Sequence, residues 1–311
     1  MTLSKTSASE TMPVGRTNTR GAECHEGPFE PGRAALMGDF VGRNKLFVLG
    51  LGLFLIILLT ALFAPWLAPY DPNNIDFSVK LEGPSWAHWM GTDDLGRDIL
   101  SRVMFGARTS LIIGINVIAV AMAIGIPIGL VSGYFGGRLD SILMRLTDVF
   151  LAFPPLLLPI AITAALGPSL INAMIALAIS WFPWYARIMR GAVMSIRSNL
   201  YVSAARTMSI SHLKILVRHI LPNAWTPALV QASMDFGYTI LAAASLSFIG
   251  IGAKPPAIEW GLMVSLSRSK FLDYWWTAAF PGLAIFVTVL AVNLIGDGLR
   301  DILDPKSRGQ Q

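Results

Sequence analysis

Residues able to carry acid–base, metal or ion-pair chemistry are few in this chain, and they gather in three places. The first is Gly91 to Ser101, GTDDLGRDILS, where Asp93, Asp94, Arg97 and Asp98 stand close together. Carboxylates at that spacing could form a catalytic pair or a docking surface. Asp98 and Arg102 also have the i, i+4 spacing of an ordinary helix ion pair, so structural support is the first reading of the patch and docking the second. The second place is Asp235, the one ionisable residue well inside a long apolar segment. Such residues face a bundle interior or a water-filled cavity. Asp235 would meet an amine or a cation on a pathway, with Tyr238 near it, or be pinned by a hydrogen bond to Tyr238 or to another helix. The third is a basic stretch with His212 and His219, which lack a third ligand nearby and so speak against a metal site.

The remaining chemistry is excluded by type. His25 and His88 stand alone, and Cys24, the single cysteine, has no partner for a disulfide or a metal cluster. No Ser/His/Asp, Cys/His or HExxH arrangement is visible, nor a G-x-x-x-x-G-K-[ST] phosphate loop. The chain is not expected to be an enzyme or to bind a cofactor of its own.

The elements that position these residues follow from composition. Of 311 residues 54% are hydrophobic and 14% charged, where a soluble domain carries about 25% charged residues. The lipid bilayer is therefore the expected surroundings. The net charge of +5 fits basic cytoplasmic loops rather than a nucleic-acid partner. Apolar runs predict an all-α polytopic protein with six spans, at about 46–67, 110–134, 149–166, 169–186, 224–250 and 275–296. Residues 1–40 read as a disordered tail, 41–305 as one membrane domain and 306–311 as a C-terminal tail.

Charge sets the orientation. Residues 187–223 carry Arg187, Arg190, Arg197, Arg206, Lys214 and Arg218 without an acid, which places that loop in the cytoplasm. The loop from Tyr70 to Ala107 is richer in acids than bases and fits the outer face. Both termini are then cytoplasmic. Trp66 with Tyr70, Trp181 with Trp184 and Tyr185, and Tyr274 with Trp275 and Trp276 suit the headgroup level. Prolines within several spans suit kinked helices around a pathway, or simply the tolerance of a bundle for proline.

Within the basic loop, Tyr201 to Asn223, YVSAARTMSISHLKILVRHILPN, is amphipathic and predicts a pair of short helices. Ala204, Ala205 and Met208 share a predicted face on which two alanines allow close approach. That face suits a partner's groove; a helix lying on anionic lipid is the equal alternative.

This loop resembles the EAA coupling motif of ABC importer permeases. The match is Ser203-Ala204-Ala205, then Ser209, then Ile220-Leu221-Pro222-Asn223. Ser203 stands where that family usually has Glu, and Ser209 where it usually has Gly. GTDDLGRDILS and Ser245 to Pro256, SLSFIGIGAKPP, followed by Trp260-Gly261, resemble the dipeptide, oligopeptide and nickel branch, in its second-permease (C-type) subunit. The likeness runs from about residue 40 to the C-terminus, through RNK at 43–45, APYDP at 68–72 and DGLRDILDP at 297–305. Ala243 stands where the family often has an acid.

The resemblance implies a type I importer permease in the bacterial cytoplasmic (inner) membrane. Its partners would be a second homologous permease, two ABC ATPase subunits that use ATP and Mg, and an extracytoplasmic solute-binding protein. Ser203, Ala204, Ala205, Arg206, Met208 and Ser209 would couple to the ATPases. Asp93, Asp94, Arg97 and Asp98 would lie in the outer loop that helps form the vestibule. A self-sufficient secondary transporter would need intramembrane charges, and only Asp235 offers one.

Overall fold

The computed structural model describes residues 44–303; the tail expected over 1–40, with Cys24 and His25, and the C-terminal tail over 306–311 lie outside them. The described residues are helical, apart from loops and one isolated β-bridge between Thr92 and Asp98. Helix α1, Lys45–Leu67, is apolar on every side and ends where Ala68 turns extended ahead of Pro69, whose ring disfavours a helical neighbour. The loop that follows makes a 3-10 turn at Phe77–Val79 and reaches Asp98, which caps α2.

Helix α2, Ile99–Phe135, has 37 residues and forms the spine. Its C-terminal half packs on α5, Leu170–Ile196, along Gly125, Gly129 and Gly133. A side chain added at Gly129 would put its Cβ 2.4 Å from the Ala186 carbonyl oxygen and 2.7 Å from the Met189 Cβ. Small residues one turn apart thus let the two backbones touch, the usual basis of close helix packing in lipid.

Residues 149–166, expected as one span, are two pieces. Amphipathic α3, Gly137–Leu151, ends before Pro154 and Pro155, and α4, Leu157–Leu166, begins after them. Two successive prolines remove two backbone donors and disfavour helical conformation in the residue before each. Gly167, at φ 92, and the Ser169 cap on Asn172 N then start α5.

The basic loop expected from residue 187 starts ten residues later, because α5 continues to Ile196. Arg190 forks onto Asp140 of α3 at 2.6 and 2.7 Å, and Arg187 meets Asp148 at 2.6 Å. The acids of α3 neutralise bases that read from sequence as a loop.

Helix α6, Leu200–Thr207, stands alone, but the second of the two expected short helices is the first turn of α7, His212–Ile249. A π-helical turn at Leu216–Ile220 accommodates Pro222, and the Asn223 side chain donates to the His219 carbonyl at 2.7 Å. The HILPN segment is therefore a splice that keeps one helix continuous past a proline. Short α8, Trp260–Ser267, and α9, Trp276–Leu303, complete the described chain.

Among the described residues, α1, α2, α7 and α9 are long and apolar enough to cross a membrane. The expected count of six would also require α4 and α5. Trp181 and Tyr185, expected at the headgroup level, are instead buried between α2, α5 and α7.

Candidate functional site

Helix α6 has one face inside the protein and one outside. Val202 and Ala205 are buried against Ile126, Leu130 and Tyr134 of α2, Met189 and Val193 of α5, and Ile215 and Ile220 of α7. Ala204 and Met208 are exposed, and Leu200 continues their ridge one turn back. Ala204, Ala205 and Met208 thus do not share a face: Ala205 is core, and the open ridge is Leu200, Ala204 and Met208. Leu213 and Val217 of α7 are exposed as well. An eight-residue helix with apolar residues on both sides leaves its rotational phase undecided in sequence.

Polar contacts strengthen the attachment. The Arg206 guanidinium lies over the Tyr134 ring, 4.7 Å from its centroid, and the Tyr134 hydroxyl meets His212 Nδ1 at 2.8 Å. Ser203 is exposed. Ser209 has φ 55, a left-handed conformation. It closes α6 with two bonds, Ser209 N–H to the Arg206 carbonyl at 3.1 Å and Ile210 N–H to the Ala205 carbonyl at 3.3 Å. This is the Schellman ending, in which glycine usually takes the left-handed position.

Asp235 opens onto a cavity of about 350 Å³ between the α3–α4 segment, α5 and α7. Phe153, Pro155, Trp181, Trp184 and Tyr238 wall it, and Gln231 donates to Asp235 Oδ1 at 2.9 Å. Tyr238 does not hold the carboxylate; its ring packs on Trp181 at 5.4 Å. The buried Tyr185 hydroxyl faces Asp235 without completing a hydrogen bond within the chain. Sequence reasoning missed Gln231 as partner, although its i, i+4 spacing was visible, and assigned Trp181 and Trp184 to a membrane border.

The acidic patch from Asp93 to Asp98 is mostly structural. Asp93 accepts from Leu95 N, Arg97 N and Arg97 Nε, the last at 2.7 Å. Asp98 is buried, caps α2 through Ser101 N at 2.8 Å and meets His88 Nδ1 at 3.0 Å, so His88 does not stand alone. The expected Asp98–Arg102 ion pair is absent: Arg102 turns to Asp93 at 3.6 Å and to the Pro72 carbonyl at 2.8 Å. A capping carboxylate points along its helix axis, away from the side chain one turn on. Gly96, at φ 73, makes the turn, and any Cβ there would fall 1.7 Å from the Asp76 carbonyl oxygen. Asp94 remains half-exposed on Lys270 at 2.7 Å.

Two further carboxylates escaped notice in sequence. Glu259, buried, caps α8 by accepting from Gly261 N and Leu262 N at 2.7 and 2.8 Å; burial pushes its pKa up against those bonds. Asp140 is held below the usual carboxylate value, first by its hydrogen bond from Arg190. Among the described residues no group of His, Cys, Asp and Glu could hold a metal ion.

Comparison with known proteins adds a consistent set of similarities. Residues 125–309 match the family described as binding-protein-dependent transport system inner membrane component, and residues 42–84 the N-terminal TM domain of oligopeptide transport permease C. The chain is 49% identical over 259 residues to a probable D,D-dipeptide transport system permease protein, DdpC, of Escherichia coli K12, covering 83% of this chain and 87% of the relative. It is 46% identical over 266 residues to the dipeptide transport system permease protein DppC of Alkalihalophilus pseudofirmus, covering 86% and 88%. A glutathione transport system permease protein, GsiD, of Escherichia coli is 45% identical over 269 residues, covering 86% and 89%. Among solved structures, the inward-facing MetNI methionine ABC transporter aligns with a TM-score of 0.54 at 17% identity, covering 66% of this chain and 98% of that one. An amino acid ABC transporter with histidines aligns with a TM-score of 0.51 at 18% identity, covering 66% and 95%.

Proposed function

Because the chain belongs to the family of binding-protein-dependent transport system inner membrane components, in its oligopeptide permease C branch, we propose that it is the second permease of an importer for di- or oligopeptides or a related small solute. It is a transport permease and not itself an enzyme. In this reading it crosses the bacterial cytoplasmic membrane six times with both termini inside. α5 and the α4 segment supply the crossings beyond α1, α2, α7 and α9. It pairs with a second homologous permease and receives solute from an extracytoplasmic binding protein. Two ABC ATPases beneath it use ATP and Mg. The relatives named for dipeptide and glutathione transport support a peptide-like solute.

One observation carries the mechanism: α6 offers an apolar ridge outward while its other face is built into the core shared by α2, α5 and α7. A ridge fixed in this way passes a push from below into three long helices without first deforming itself. The ATPases need only prefer one arrangement of the bundle, and their differential affinity sets the populations. Solute then moves past the Asp235 cavity. At the outer end Asp94, with exposed Trp86 and Trp89, is available to the binding protein.

The test is co-purification of the transporter and ATP-driven uptake of a labelled dipeptide into proteoliposomes. Met208→Glu and Ala204→Glu on the open ridge should release the ATPases and abolish uptake while the permease pair stays folded. ATPases retained in full with normal uptake would reject the ridge as the coupling surface and favour a helix resting on lipid.

A further inference from the structure

The cavity beside Asp235 has a feature that import in general does not require. Among the described residues Asp235 is the only charged one lining it, and none of their ion pairs includes Asp235. Its neighbours Gln231 and Tyr185 are neutral. A carboxylate without a counter-ion thus faces an open volume of about 350 Å³ walled by Trp181, Trp184 and Tyr238. Indole and phenol faces attract organic cations, and a carboxylate in a partly dehydrated site strengthens that attraction. A bare metal ion finds a poorer home here. It would need several oxygen ligands, and among the described residues Asp235 is the only carboxylate in the wall.

We propose that this cavity binds the primary ammonium group of the passing solute, the free amino end of a peptide or an amine side chain. Asp235 is the counter-ion and Trp181, Trp184 and Tyr238 are the wall. The inference rests on reading the cavity as part of the solute path. It assigns this chain a share of the selectivity: solutes that present an ammonium pass, and N-acylated ones lose their foothold.

The experiment uses the transporter purified with its co-expressed partner subunits. Phenethylammonium is titrated calorimetrically against the neutral 2-phenylethanol and against sodium chloride at constant ionic strength. Wild type should bind the ammonium, Asp235→Glu should keep binding, and Asp235→Asn, which preserves shape, should bind about tenfold or more weakly. 2-Phenylethanol should not distinguish wild type from Asp235→Asn. Unchanged ammonium binding in Asp235→Asn, or equal binding of the alcohol and the ammonium, would overturn the proposal. Displacement of the probe by equimolar sodium would make this an inorganic cation site and overturn it as well. A second arm compares uptake of Ala-Ala and N-acetyl-Ala-Ala, whose ratio should fall in Asp235→Asn. Probe binding that depends on Asp235, with neither peptide transported, retires the peptide reading and leaves the ammonium site. Uptake of both peptides at one rate, with probe binding insensitive to Asp235, retires the ammonium site and leaves import.

Discussion

Ser209 holds a backbone conformation that a Cβ disfavours by about 1–2 kcal/mol, at the position where glycine ordinarily ends a helix. Replacing it by glycine removes that strain but loosens the unfolded chain, which returns part of the gain. Ser209→Gly should therefore stabilise the purified transporter by about 0.5–1 kcal/mol, read as a higher thermal midpoint; a lower midpoint would mean that the hydroxyl compensates the backbone. Asp140 gives a prediction in pH. Its carboxyl is held below the ordinary aspartate value, first by the hydrogen bond from Arg190, which favours the charged form. A depressed folded-state value contributes stability above the unfolded value and loses it as pH falls through the folded one. The difference in stability between wild type and Asp140→Asn should be flat from neutral pH to about 5 and shrink below about 4. The pair is partly exposed, so the plateau is on the order of 1 kcal/mol. At this scale the sequence was half legible. The departures at Ser203 and Ser209 were visible as letters, but the strain at 209 needed the backbone. The adjacent alanines are identical in type, so only the packed helix separates Ala204 outside from Ala205 inside.

Among the elements, the long apolar runs announced α1, α2, α7 and α9 because continuous hydrophobicity is a local signal. Where α5 ends was not local: its last turns carry Arg187 and Arg190, whose acids lie 39 and 50 residues away on α3. The proline pair that divides α3 from α4 was present in the sequence, yet an uncharged stretch outweighed it. The α2–α5 seam yields a sharp expectation. Gly129→Leu on α2 forces side-chain atoms into the Ala186 backbone and should prevent assembly, whereas Gly191→Leu, on α5 but in open space, should be tolerated. Yield of the intact complex on size-exclusion chromatography measures both. Equal yields would show that the two helices separate freely.

For the whole molecule, orientation is the property most open to direct measurement. In a Cys24→Ser background, a cysteine replacing exposed Trp86 should react with a membrane-impermeant maleimide on intact cells. One replacing exposed Leu213 should react only after permeabilisation; the reverse pattern would invert the topology. The expectation rests on the basic loop alone, since charge bias is a property of composition and not of packing. The length of α2 carries a consequence of its own. At 37 residues it is about 55 Å long. One end is anchored to the preceding loop by Asp98, and the other clasps α6 through Tyr134. Pivoted at its midpoint, such a rod behaves as a seesaw: a swing of about ten degrees carries its ends roughly 5 Å in opposite directions. In the importer proposed above, such a seesaw would widen one side of the bundle as it narrows the other, so a single long helix would supply the alternation without a separate latch.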